Sequence, residues 1–278
     1  MSHLHTPTVF TGYIAIARGD RPAADMALHP REEAVLGPRS VDKRRKDFCR
    51  GRAVAKCLLA HVLNVNSKDL WVLPNSLGVP EAFHSETGSL PLSMSISHTQ
   101  HLAAAAMLPL PARVGVDVEQ EIHSPDGILR DFFTDQEQAL CMRCMHNASY
   151  RMSATRIWSL KEAGLKVLGV GLRASAHTVQ VQHINEHADA HGWYDAQLHI
   201  AADWKEELSP TQSVRSSDRC RMLAWVQTRE NAALAVAMAL IDPAMINKFG
   251  HALSFARPGV VFEAPTMRPW QESTSVTD

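Results

Sequence analysis

Two prolines in the segment Pro109-Leu110-Pro111 split the chain into halves that follow the same plan. Proline fixes φ and has no amide hydrogen, so this segment cannot continue a helix or a central strand. Before it, residues 9–17 are aliphatic with partial alternation and predict a strand, and a polar, proline-containing stretch follows. Phe48, Ala55, Leu58, Leu59 and Val62 recur at helical spacings and predict one long helix over 42–63, closed by Asn64. Short strands are expected over 70–73 and 93–97, with a turn over 74–80 between them and an antiparallel partner over 102–108. The second half begins with a strand over 114–119, followed by helices near 135–144 and 155–168, the latter stopped by Gly169 and Gly171. Strands over 179–183, 196–201, 222–228 and 232–240 complete it, the last two as a hairpin. The expected fold class is α+β: two similar lobes in one chain, each a small, mainly antiparallel sheet packed with helices. Residues 1–110 form the expected N-terminal lobe, 111–242 the C-terminal lobe, and 243–278 a peripheral or partly disordered tail.

Net charge and cysteine usage narrow the function. The 278 residues carry a formal charge of −1 and a pI near 6.9, which provides no global field for nucleic acid. The N-terminus lacks the charged and apolar regions of a signal peptide, and no apolar run approaches the ~20 residues needed to span a bilayer. A cytoplasmic protein without membrane or nucleic-acid partners is expected. Five cysteines, an odd number, suggest free thiols rather than a disulfide framework.

The chemistry-bearing residues concentrate in the second half. In Gly115-Val116-Asp117-Val118-Glu119 the two acids share one face of a strand, roughly 6–7 Å apart, with both valines on the other. Such a pair suits either a solvated edge or a hard cation, which takes oxygen ligands. About forty residues on, Trp158-Ser159-Leu160-Lys161-Glu162-Ala163-Gly164-Leu165-Lys166 places Glu162 and Lys166 one helical turn apart, an ordinary helix pair or a third acid with a cation beside it. Trp158 reads most simply as a core anchor. In the first half, Arg44, Arg45 and Arg52 fall within about a quadrant of the long helix, either a solvated face or a grip for phosphates. His98 closes the strand Ser95-Ile96-Ser97, where a side chain can enter a cleft. Cys141-x-x-Cys144, near His146, lacks the second half of a four-ligand zinc site.

Together, G-V-D-V-E, W-S-L-K-E-A-G-L-K and the upstream S-x-S-H resemble the signature of the larger, surfactin-synthetase-activating (Sfp-like) 4′-phosphopantetheinyl transferases. The resemblance covers roughly residues 28–240. It implies two α+β lobes about a pseudo-two-fold axis, working as a monomer, and transfer of 4′-phosphopantetheine from coenzyme A to a serine of an acyl- or peptidyl-carrier protein, with adenosine 3′,5′-bisphosphate released. It further implies Mg²⁺, for which Mn²⁺ can substitute, held by Asp117, Glu119 and Glu162. Glu162, Lys166 and Lys161 become the catalytic candidates, the lysines also contacting coenzyme A. Arg44 and Arg52 match its arginines for coenzyme A, His98 its ligand for the 3′-phosphate, and Ser97 borders the same pocket. One departure is Leu77, where many relatives carry a lysine before the turn Gly78-Val79-Pro80. Two rivals remain: a non-catalytic carrier-binding module of the same fold, and a zinc or redox protein using Cys141 and Cys144.

Overall fold

The structure is a computed structural model that describes residues 8–18, 28–37, 40–201, 222–229, 231–241 and 253–264, the side chains of 8–9 and 253–264 excepted. The chain runs β1 (Thr8–Arg18), α1 (Pro30–Leu36), α2 (Asp42–Leu63), β2 (Leu70–Pro74), β3 (Pro80–His84), β4 (Gly88–Ser89), β5 (Leu92–His98) and β6 (Leu102–Pro109). It continues through β7 (Arg113–Gln120), α3 (Asp126–Phe132), α4 (Asp135–Arg143), α5 (Tyr150–Val167), β8 (Val179–Ile184), β9 (Trp193–Ile200), β10 (Met222–Arg229), β11 (Ala232–Ala239) and β12 (Leu253–Ala264).

Both halves use one topology. The second builds a single sheet in the order β7-β11-β10-β9-β8. The first builds β12-β1-β6-β5, of which β1-β6-β5 repeats the β7-β11-β10 order, with β2-β3-β4 as a separate small sheet. Each long helix lies on the outer face of its sheet. Ala103, Ala105 and Met107 of β6 face α2, and Ala233, Ala235, Ala237 and Ala239 of β11 face α5. Alternate residues of the same strands point inward, where Ala104, Ala106 and Leu108 meet Val116, Val118, Leu234, Val236 and Met238. The small alanines let helix and sheet approach closely on one face, while the branched residues fill the space between sheets on the other. The layers are therefore helix, sheet, sheet, helix.

A buried ion pair also repeats. In the first half, Glu32 caps the N-terminus of α1 through a reciprocal box with His29, and its carboxylate accepts from Lys56 Nζ of α2 at 3.1 Å and from Val72 N of β2 at 2.8 Å. In the second half, Glu137 closes the same box with Thr134 at α4 and accepts from Lys161 Nζ of α5 at 2.7 Å and from Val181 N of β8 at 2.8 Å. Each pair fastens a cap, a long helix and a strand to one another.

The long helices follow the apolar spacing, α2 ending at a left-handed Asn64 and α5 beginning earlier than expected behind the Ser149 cap. Helices α1 and α3 and strands β3 and β4, all short, had no sequence expectation. Residues 253–264, within the expected tail, form an edge strand that pairs with β1 in parallel. Arg257-Pro258 falls at a register shift there, a place where a strand tolerates proline and where the periodicity is hidden. The rest of that tail lies outside the described residues.

Candidate active site

Close packing of α5 on β7 assembles the acids. A Cβ on Gly115 would collide with the Ala163 carbonyl oxygen and lie 2.9 Å from the Val167 amide nitrogen, so only glycine lets the helix lie directly over the strand. Val116 and Val118 enter the layer between sheets, leaving Asp117 and Glu119 under α5 where Glu162 descends. One ligand oxygen from each of the three carboxylates lies within 4.8 Å of the others. Among the described residues they form the one group of three or more metal-ligating side chains so gathered.

The surroundings fix Asp117 and leave one oxygen over. Its Oδ1 accepts from Lys166 Nζ at 2.6 Å and from Ser97 Oγ at 2.9 Å, and Lys166 also donates to the Val116 carbonyl. Its Oδ2 is buried with no hydrogen-bond partner. A buried, unpartnered carboxylate oxygen beside two further carboxylates is costly unless a cation joins it. An all-oxygen donor set fits a hard divalent cation such as Mg²⁺.

Without that cation Glu119 and Glu162 resist ionisation. Burial, then the Asp117 and Glu162 charges, pushes the Glu119 carboxyl up to about 7, against Lys166 and a hydrogen bond with Trp158. Burial and then Asp117 push Glu162 up to about 7 as well, against Lys166. An unfolded glutamate titrates near ~4.3, so between these values the folded chain holds protons that the unfolded chain releases. Metal-free stability from these groups therefore falls as pH rises from about 4.5 to about 7, and a cation that displaces the protons restores it. The expected outcome is a larger Mg²⁺-induced rise in Tm at pH 8 than at pH 6. An equal shift at both pH values, in a thermal-melt series, would count against the cluster as the binding site.

Beside the cluster opens a cleft of about 350 Å³, walled by α2, the turn at Leu77–Pro80, β5 and the segment following α5. It is lined by Arg52, His98, Lys166 and Arg173, with Asp47 as the acid among them and Phe48, Leu77, Val79 and Ile96 supplying apolar surface. The Arg52 guanidinium is oriented by the Val72 carbonyl, 2.9 Å from Nε, and lies over the Phe48 ring. His98 stands at the open end of β5. Loss of surrounding water lowers its pKa, Asp47 opposes this, and Arg50 and Lys166 reinforce it. An excess of cations over acids suits an anionic ligand.

Three expected residues do not line the cleft. Arg44 is exposed on the first turn of α2 and does not line the cleft, because the wall begins one turn later at Asp47 and Phe48. Ser97 is buried in the seam between the sheets rather than lining the pocket. Free N–H groups of the edge strand β7, those of Val114, Val116 and Val118, donate to the hydroxyls of Ser93, Ser95 and Ser97 at 3.0–3.2 Å. Lys161 is fully buried, and its ammonium donates to both oxygens of Glu137 and to the Val179 carbonyl. One residue before Glu162, it projects from another side of α5, into the helix–sheet core. Burial pulls its pKa down and Glu137 supports it. It does not reach the site.

Among the described residues no cysteine joins a group of three metal-ligating side chains. Cys141 and Cys144 are buried, and burial pushes the Cys141 thiol up to about 12. Cys220 lies outside the described residues. Trp158 packs against the helix–sheet core, its ring 5.3 Å from that of Phe132. Arg173 and Asp47 are cleft residues to which sequence reading assigned no role: Arg173 lies outside every motif, and Asp47 is the acid within the basic run that carries Arg44 and Arg52.

The model of the 4′-phosphopantetheinyl transferase superfamily matches residues 113–219. That stretch contains Asp117, Glu119, Glu162, Lys166 and Arg173, whereas Arg52 and His98 lie before it. No match is found among curated proteins.

Proposed function

We propose that the chain is an Sfp-like 4′-phosphopantetheinyl transferase, moving phosphopantetheine from coenzyme A to a serine of an acyl- or peptidyl-carrier protein. The observation that carries this reading is the carboxylate cluster with Lys166 at the edge of a cationic cleft, inside the stretch matched by the superfamily model. A diphosphate ester would lie with its bridge against the cluster and its nucleotide along the cleft. The serine oxygen attacks the phosphorus bearing the pantetheine, and the bond from that phosphorus to the bridging oxygen breaks. Adenosine 3′,5′-bisphosphate departs.

Each residue has a task that follows from its surroundings. Asp117, Glu119 and Glu162 would hold Mg²⁺, which when bound supplies charge neutralisation for the phosphates. Glu162 accepts the serine proton directly or through a water. Lys166 bridges cluster and cleft, and its ammonium can donate to the departing phosphate while Asp117 keeps it in place. Arg52 and His98 orient the nucleotide end.

Intact-mass spectrometry tests the reading. An apo carrier protein incubated with this chain, coenzyme A and Mg²⁺ is expected to gain one phosphopantetheinyl group, and EDTA is expected to abolish the gain. Coenzyme A binding with no transfer to any of several carrier types would instead identify a non-catalytic binding module.

A further inference from the structure

We propose that Arg173 binds the terminal phosphate monoester of the cosubstrate, as a specificity-determining residue of the cleft; this rests on the coenzyme A reading above. Arg173 sits on the 3₁₀ turn Gly171–Arg173 that follows α5, and its side chain lines the cleft. Its Nε and Nη2 donate to the Val170 and Gly169 carbonyls at 3.2 and 3.0 Å, which fixes the guanidinium plane against the end of the helix. Arginine carries five N–H donors, so the rest of the fork remains for an anion.

The opposite wall lacks a charge of its own. The turn at Leu77 is folded by the Asn75 side chain, which accepts from the Leu77 and Val79 amides, and its lining residues Leu77, Gly78, Val79 and Pro80 are all uncharged. The segment carrying Arg173 closes on this turn, since a Cβ at Gly169 would lie 3.4 Å from Val79 Cγ2. Charge balance points the same way. Lys166 is already paired with Asp117, so without Arg173 the lining would set Arg52 against Asp47 and retain little attraction for a polyanion.

Position selects the group that is bound. The reacting diphosphate must lie at the carboxylates and Lys166. Arg173 stands on the turn after α5 rather than on the stretch of α5 that carries Glu162 and Lys166, so it is placed for an anionic group other than that diphosphate. Coenzyme A has one other such group, the 3′-phosphate.

Titration calorimetry with coenzyme A and with dephospho-coenzyme A, in Mg²⁺, tests this on the wild-type chain, Arg173→Gln and Arg173→Lys. Arg173→Gln is expected to weaken coenzyme A binding about tenfold or more, as loss of a charge-assisted contact does, while changing dephospho-coenzyme A by less than about twofold. Arg173→Lys is expected to retain most of the discrimination. The side chain is exposed and its contacts are local, so an unchanged Tm serves as the control for folding. Equal losses for both ligands, or no loss for either, would overturn the assignment while leaving the transferase reading intact. A wild-type chain that binds neither ligand would instead remove the transferase reading itself.

Discussion

Glu162→Gln is expected to lower phosphopantetheinyl transfer by about a thousandfold or more, because the change removes both a metal ligand and the proton acceptor. The same substitution is expected to raise the Tm of the metal-free protein at pH 8. There the wild-type chain must keep Glu119 and Glu162 ionised beside Asp117, in a site that already pushes both glutamates up to about 7. Removing one charge relieves the other two, and a glutamine keeps the volume under α5. The stabilisation by Mg²⁺ is expected to shrink in parallel. Activity and the Mg²⁺ response thus fall while apo stability rises, a combination that a merely misfolded variant would not reproduce. Substantial transfer activity in well-folded Glu162→Gln would remove this residue from the mechanism, and an unchanged Mg²⁺ response would remove it from the ligand set.

Lys161→Met is expected to fail for a different reason. The lysine is wholly inside the core, and its loss strands the Glu137 carboxylate there with no cation. Breaking one side of a buried pair typically costs ~3–5 kcal/mol, a large part of the stability of a domain. Glu137 would still accept from Val181 N and Thr134 N, so the cap persists while its charge is uncompensated. Adding Glu137→Gln is expected to recover part of the loss, because it removes the stranded charge. Denaturant unfolding of the single and double variants measures this directly. The turnover number of whatever Lys161→Met protein is folded at low temperature should stay near wild type. A variant with wild-type stability and no turnover would return Lys161 to the chemistry.

The two lysines of W-S-L-K-E-A-G-L-K show how far a pattern can be read. Sequence placed both beside Glu162, because a motif carries identity and spacing but no direction. Helical geometry separates them: Lys166, one turn after Glu162, stays with the acids, while Lys161 turns into the core. A clue was present in the sequence, since Glu32 precedes Lys56 and Glu137 precedes Lys161 by the same 24 residues. It could be recognised as a repeated structural pair only once the two caps were seen in equivalent places.

What the chain determined by itself was its periodic and chemical content. Alternation and helical spacing, which act over a few residues, were enough for the strand with Asp117 and Glu119, the two long helices, the β10–β11 hairpin and the α+β class. The acids share a face because strand geometry requires it. Only the tertiary structure decided which side chains face one another across separate elements. It sealed Ser97 into the seam by pairing its hydroxyl with Val118 N and Asp117, and left Arg44 one turn outside the cleft. It brought Arg173 to the cleft wall, and drew residues 253–264 onto β1 despite the proline that breaks their pattern. These outcomes depend on contacts between residues far apart in the chain. Burial then sets their energies, as when Glu119 and Glu162 are driven toward neutrality by a site that neither could form alone.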